Sequence, residues 1–128
     1  LDWILLGNLK KNQPVKSLLD DATLLHIVSH VKYAMLCSAE CTVEGIIKAF
    51  EEVCRFEHSE YVYFSMTQST FEELLTAQHT SFEKTISNDE IQLRNRERKT
   101  ILVSYLLDGE CCVEMGRMDR WGELRVPK

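Results

Sequence analysis

The 128-residue chain predicts an α+β fold, with N-terminal helices followed by an antiparallel sheet of about four strands centred on a C-terminal β-hairpin. Three observations carry that expectation. Lys99 to Met118, KTILVSYLLDGECCVEMGRM, writes strand, turn and strand locally, and Asp108-Gly109 accepts positive φ at both centres of a type I′ turn. Val43 to Cys54 puts Val43, Ile46, Ile47, Phe50, Val53 and Cys54 on one helical stripe, with Glu44, Lys48, Glu51, Glu52 and Arg55 on the opposite side. Helical periodicity also dominates the first half and alternation the second, the order of a layered α+β protein rather than a doubly wound sheet.

The elements follow in chain order. Leu1 to Leu9 carries Trp3, Ile4, Leu5, Leu6 and Leu9, an apolar density that suits one or two buried helical turns ending near Gly7-Asn8. Lys10 to Pro14 is a polar break. From Val15 to Leu36, the residues Leu18, Leu24, Ile27, Val28, Val31, Ala34 and Met35 keep helical spacing, with Asp20 and Asp21 as caps for a restart within it. Ser38 to Thr42 breaks the pattern, and Ser38 or Thr42 caps the helix that begins at Val43. Glu60 to Met66 alternates Val62, Phe64 and Met66 against Tyr61, Tyr63 and Ser65, as a strand does.

Two overlapping capping boxes, Ser69 with Glu72 and Thr70 with Glu73, announce a helix running toward Phe82 and Ile86 and closed by Ser87-Asn88-Asp89. Glu90 to Arg94 alternates like a short edge strand. In the hairpin, counting back from the turn pairs Leu107 with Glu110, Leu106 with Cys111, Ser104 with Val113 and Leu102 with Met115. Leu102, Leu106, Cys111, Val113 and Met115 therefore share a core face. The other face of the first strand, Ile101, Val103, Tyr105 and Leu107, is apolar too, so helices or a partner subunit are expected to cover it. Arg120 to Val126 alternates once more and predicts a last strand.

A chain of this length buries roughly two-thirds of its unfolded surface, enough for one domain spanning residues 1–128. It opens Leu1-Asp2-Trp3 with neither methionine nor a basic segment leading into an apolar run, which predicts a fragment of a longer protein without a signal peptide. No stretch approaches the roughly 18 apolar residues of a membrane span. Five cysteines, an odd number, favour free thiols and hence an intracellular setting, cytoplasm or nucleus. The net charge of −5 argues against general affinity for nucleic acid.

The sharpest chemical pattern is HIVSHVKYAMLCSAEC, whose His26, His30, Cys37 and Cys41 make a tetrahedral zinc set by type. On a straight helix the first and last would stand ~22 Å apart at 1.5 Å per residue, so the pattern favours surface histidines and semi-buried thiols, with no metal. Cys111-Cys112, adjacent on a strand, send side chains to opposite faces, so one is core and the other outward. Paired carboxylates sit where helices need capping or solvation, and no phosphate-binding glycine loop, nucleophile elbow or H-E-x-x-H is present, so no catalytic residue or cofactor is assigned.

RNRERK sets Arg94, Arg96, Arg98 and Lys99 against Glu97 alone, either a guard on a strand edge or a patch for phosphates, nucleic acid or an acidic partner. The patch reading strengthens if Arg117, Arg120 and Arg125 lie nearby. The function expected is thus a non-enzymatic protein–protein interaction or assembly domain that contacts a partner, or a second copy of itself, through Arg94, Arg96, Arg98, Lys99, Val103 and Tyr105. The order of elements also resembles sensory ligand-binding folds of the GAF or autoinducer-binding kind. That resemblance implies a regulatory small-molecule pocket between sheet and helices, lined by Tyr61, Tyr63, Phe64 and Tyr105.

Overall fold

A computed structural model describes residues 3–6, 20–36, 41–55, 59–77 and 82–126. Its elements are β1 (Trp3–Leu6), α1 (Asp21–His30), β2 (Tyr33–Leu36), α2 (Val43–Arg55), β3 (Tyr61–Met66), α3 (Gln68–Thr76), β4 (Glu83–Ser87), β5 (Glu90–Asn95), β6 (Thr100–Leu107) and β7 (Glu110–Arg117). All strands join one seven-stranded sheet in the order β1-β2-β3-β7-β6-β5-β4. β1, β2 and β3 run parallel, and every other neighbouring pair is antiparallel. The class is α+β, but the sheet is larger than expected and mixed, because α1 and α2 are crossovers between parallel strands instead of a helical layer preceding the sheet.

Two of the additional strands come from segments with helical spacing. Trp3–Leu6 pairs in parallel with Tyr33–Leu36, so the expected N-terminal helical turn is a strand. α1 begins where Asp20 caps it, the carboxylate accepting from the Thr23 N–H at 2.8 Å, and the Leu24, Ile27 and Val28 stripe is buried. It ends at His30, with Val31 already extended, and does not continue to Leu36. Ala34 and Met35 suit a helical stripe, while Ala34 and Leu36 also alternate at period two; pairing of Tyr33 with Tyr61 and of Ala34 with Val62 decides for the strand. The polar break at Lys10 to Pro14 lies outside the described residues.

α2 follows expectation over its whole length. The Thr42 hydroxyl accepts from Gly45 N–H at 3.1 Å, and Thr42 is itself held by Asp21, whose carboxylate accepts its N–H at 2.8 Å and its hydroxyl at 2.7 Å. A Cβ on Gly45 would stand 2.1 Å from that carboxylate, so the contact requires glycine.

α3 is capped by Thr67 and not by Ser69 or Thr70: the Thr67 hydroxyl accepts from Thr70 N–H at 3.2 Å. It stops at Thr76 instead of reaching Ile86. The ammonium of Lys84 donates to the carbonyls of Leu74 (2.8 Å), Leu75 (3.0 Å) and Ala77, a cation placed where the helix dipole is negative. Lys84 can do this because it belongs to β4. Asn88 and Asp89, at φ 47° and 61°, form the turn of a β4–β5 hairpin rather than a helix terminus. β5 is consequently an interior strand, and β4 takes the edge.

The β6–β7 hairpin has the expected register, with Leu107 opposite Glu110, Leu106 opposite Cys111, Ser104 opposite Val113 and Leu102 opposite Met115. Asp108 and Gly109 have φ 51° and 80°. Leu102, Cys111, Val113 and Met115 join the main core against α1, α2 and α3, while Leu106, at the hairpin tip, is exposed. Among the described residues no helix covers the opposite face. Ile101 and Val103 pack with Met118, Tyr105 and Leu124, so the C-terminal segment folds back over its own sheet. That segment is a strap, not the expected strand: a single bridge joins Met118 and Leu124. No helix among the described residues is long and apolar enough to cross a membrane.

Candidate functional site

The strap gathers the basic residues. Two backbone bonds tie it down, Met118 N–H to Lys99 O at 2.8 Å and Arg125 N–H to Arg117 O at 2.8 Å, and two more close it on itself, Asp119 N–H to Glu123 O at 2.7 Å and Gly122 N–H to Asp119 O at 3.1 Å. The Asp119 carboxylate accepts from the amides of Trp121 (2.8 Å) and Glu123 (3.0 Å), and Gly122 makes the reversal at φ 80°. The β5–β6 connection is equally defined. Asn95 accepts from the Arg98 N–H at 3.1 Å, and Lys99 takes φ 55° to start β6. Arg117 is fixed by register, opposite Thr100.

Two adjoining pockets result at this end of the sheet. The inner one, about 290 Å³, is lined by Glu60, Arg98, Lys99, Arg117, Met118 and Arg125. The outer one, about 630 Å³, shares Lys99, Met118 and Arg125 and adds Arg96, Asp119, Arg120, Trp121 and Gly122. Trp121 is 72% exposed, with the Arg120 guanidinium 4.2 Å above its ring. Among the described residues, four cations and one carboxylate line the inner pocket, from four separate stretches of chain.

The sequence-expected contact residues divide here. Arg98 and Lys99 line the pockets and are exposed. Arg94 donates to the Gly122 carbonyl at 3.1 Å, holding the strap turn. Arg96 forks onto Glu83 at 2.6 and 3.0 Å, which keeps the Glu83 carboxyl below its usual range. Val103 is buried beneath the strap at 8% exposure, and Tyr105 is half-buried beside it. Arg117 was within reach of the sequence, since the hairpin register already sets it one pair beyond Ile101 and Gly116. Trp121 and Glu60 were not, because the expected strand hid the strap.

The aromatic residues do not enclose a common pocket. Phe64 is fully buried on the helix side, whereas Tyr61, Tyr63 and Tyr105 belong to the helix-free face. There the Tyr61 hydroxyl donates to Glu114, and the Tyr63 hydroxyl lies 3.3 Å from Cys112 Sγ. Burial, together with the Glu114 charge, pushes the Tyr105 phenol up to about 12 and the Tyr61 phenol higher still.

The zinc pattern is dispersed. His26 and His30 stack on the outer side of α1 with ring centroids 4.3 Å apart. Cys41 lies near Asp20 and Asp21, at the other end of that helix, where burial and the two carboxylates push its thiol up to about 12. Cys37 lies outside the described residues. Among the described residues no group of three His, Cys, Asp or Glu side chains is placed to hold a metal ion. Cys111 faces the helices and Cys112 the other side, as adjacent strand positions require, and burial raises the Cys111 and Cys54 thiols. Chemically, the assembled feature is an array of guanidinium and ammonium donors beside an exposed indole. It is suited to holding an anion.

Compared with family models, curated proteins and solved structures, the chain matches none of them.

Proposed function

We propose that this chain is a non-enzymatic interaction module that docks an acidic segment of a protein partner across the groove between Arg98-Lys99 and Arg117–Arg125. The observation that carries the reading is the convergence of Arg98, Lys99, Arg117, Arg120 and Arg125 on two pockets that share Met118, in a chain whose net charge is −5. A local basic groove on an acidic molecule attracts an anion at close range while the rest of the surface repels extended polyanions. A protein segment, with its acidic side chains confined to a few residues, fits that field better than a nucleic acid backbone, which carries a charge at every nucleotide. Glu60, Asp119 and Glu123 within and beside the groove oppose a continuous phosphate track. Trp121 gives the partner an aromatic anchor of the kind that dominates interface energetics.

Fluorescence anisotropy with labelled polyglutamate tests the reading. Binding should weaken as salt rises, and the double variant Arg98→Glu, Lys99→Glu should lose at least about tenfold in affinity, 1.4 kcal/mol. Tighter binding of polyuridylate than of polyglutamate would overturn the choice of partner, and failure to bind either would overturn the groove as a docking site.

A further inference from the structure

We infer that the inner pocket is a phosphate-recognition site, which takes a phosphorylated side chain within the acidic segment; the inference rests on the docking reading above. A partner's carboxylate brings one negative charge, but among the described lining residues Arg98, Lys99 and Arg125 stand against Glu60, a formal excess of two cations without counting Arg117. A phosphomonoester supplies about 1.5–2 negative charges and three strong acceptor oxygens on one small tetrahedral group, so it satisfies several forks at once where a carboxylate satisfies one. About 290 Å³ accommodates such a group with part of its side chain.

The backbone around the pocket is fixed in advance. Arg98 is held by the Asn95 turn, Lys99 by its carbonyl's bond to Met118, and Arg125 by its amide's bond to the Arg117 carbonyl. Little backbone entropy then remains to be lost when the anion binds. The neighbouring outer pocket, with Arg120 above Trp121, lies where residues flanking the phosphate would run. Glu60 is half-buried at the wall and opposes the incoming dianion, so it sets a threshold that a single carboxylate crosses less easily than a phosphate.

Calorimetric titration with three probes tests this: an acidic peptide carrying one phosphoserine, its unphosphorylated twin, and inorganic phosphate. The phosphorylated peptide should bind at least about tenfold tighter than its twin, and inorganic phosphate should compete with it. Arg98→Gln should abolish the preference for phosphate, Glu60→Gln should tighten the phosphopeptide, and Lys48→Gln, on α2 beside Glu44 and outside both pockets, should change neither. Circular dichroism establishes that each variant is folded. Equal affinity for the two peptides would overturn the phosphate site and leave acidic docking standing. Failure of both peptides to bind would overturn both.

Discussion

The two faces of the sheet are built on different terms. The helix-covered face is closed by Leu24, Ile46, Phe50 and Leu74 packed on Ala34, Val62, Phe64, Leu102 and Met115, all essentially inaccessible to water. The opposite face has a three-residue cluster under a strap, a patch of hydrogen-bonded tyrosines and a basic rim. The first face stabilises the fold through area and packing. The second spends its residues on polar contacts and charge, and the basic groove lies at its end.

Cavity-forming substitutions give the sharpest contrast. Phe64→Ala should cost about 3–5 kcal/mol, because rigid helices leave the void unfilled. Val103→Ala on the other face should cost only about 1–2 kcal/mol, the transfer value of its lost methyl groups, because a strap can settle into the space. Chemical denaturation measures both, and equal losses would erase the distinction. Val103→Lys extends the comparison: it should free the strap while the helical layer stays folded, seen as faster hydrogen exchange at the Met118 and Arg125 amides with α2 still protected.

Within the helical layer, Gly45→Ala should destabilise by about 1–3 kcal/mol, since its methyl group meets the Asp21 carboxylate that holds Thr42. Asp21→Ala removes both the obstacle and the bonds. The double variant should therefore be more stable than the sum of the single losses implies, and strict additivity in thermal unfolding would refute the contact.

The smallest expected effect belongs to the tyrosines of the open face. Folding holds Tyr61, Tyr63 and Tyr105 protonated beyond the free value of 10.0, so above that pH the folded state binds more protons than the unfolded one. Their contribution to stability is complete below pH 10 and declines toward about 12, where Tyr105 ionises. Glu114→Gln should lower the tyrosinate titration followed by absorbance, because one cause of the raised Tyr61 and Tyr105 values is gone. An unchanged titration would detach Glu114 from both phenols.

Legibility varied along the chain for identifiable reasons. The register of the β6–β7 hairpin and the buried stripe of α2 were readable, since Asp108-Gly109 sets a register by itself and a full apolar stripe admits one helical interpretation. The Asn88-Asp89 turn was misread because it lacks glycine and because Ile86, exposed in β4, continues an apparent helical stripe from Leu75. Of the candidate site, Arg98 and Lys99 were visible as a charge run. Arg94 and Arg96 looked identical to them, although one bonds the strap and the other Glu83.

The amino-acid sequence thus determined the elements whose instructions are local: the capped α2 helix, the hairpin and its register, and the run of charge from Arg94 to Lys99. Tertiary structure decided everything that depends on distant partners. Trp3–Leu6 and Tyr33–Leu36 became strands because a parallel neighbour satisfied their backbone, and short apolar runs have no such preference alone. The second sheet face was covered by the chain's own C-terminal strap, which brought Arg117 and Arg125 to Arg98 and Lys99. A charge in the sequence states what a residue can attract; only its neighbours in space state whether it is still available to do so.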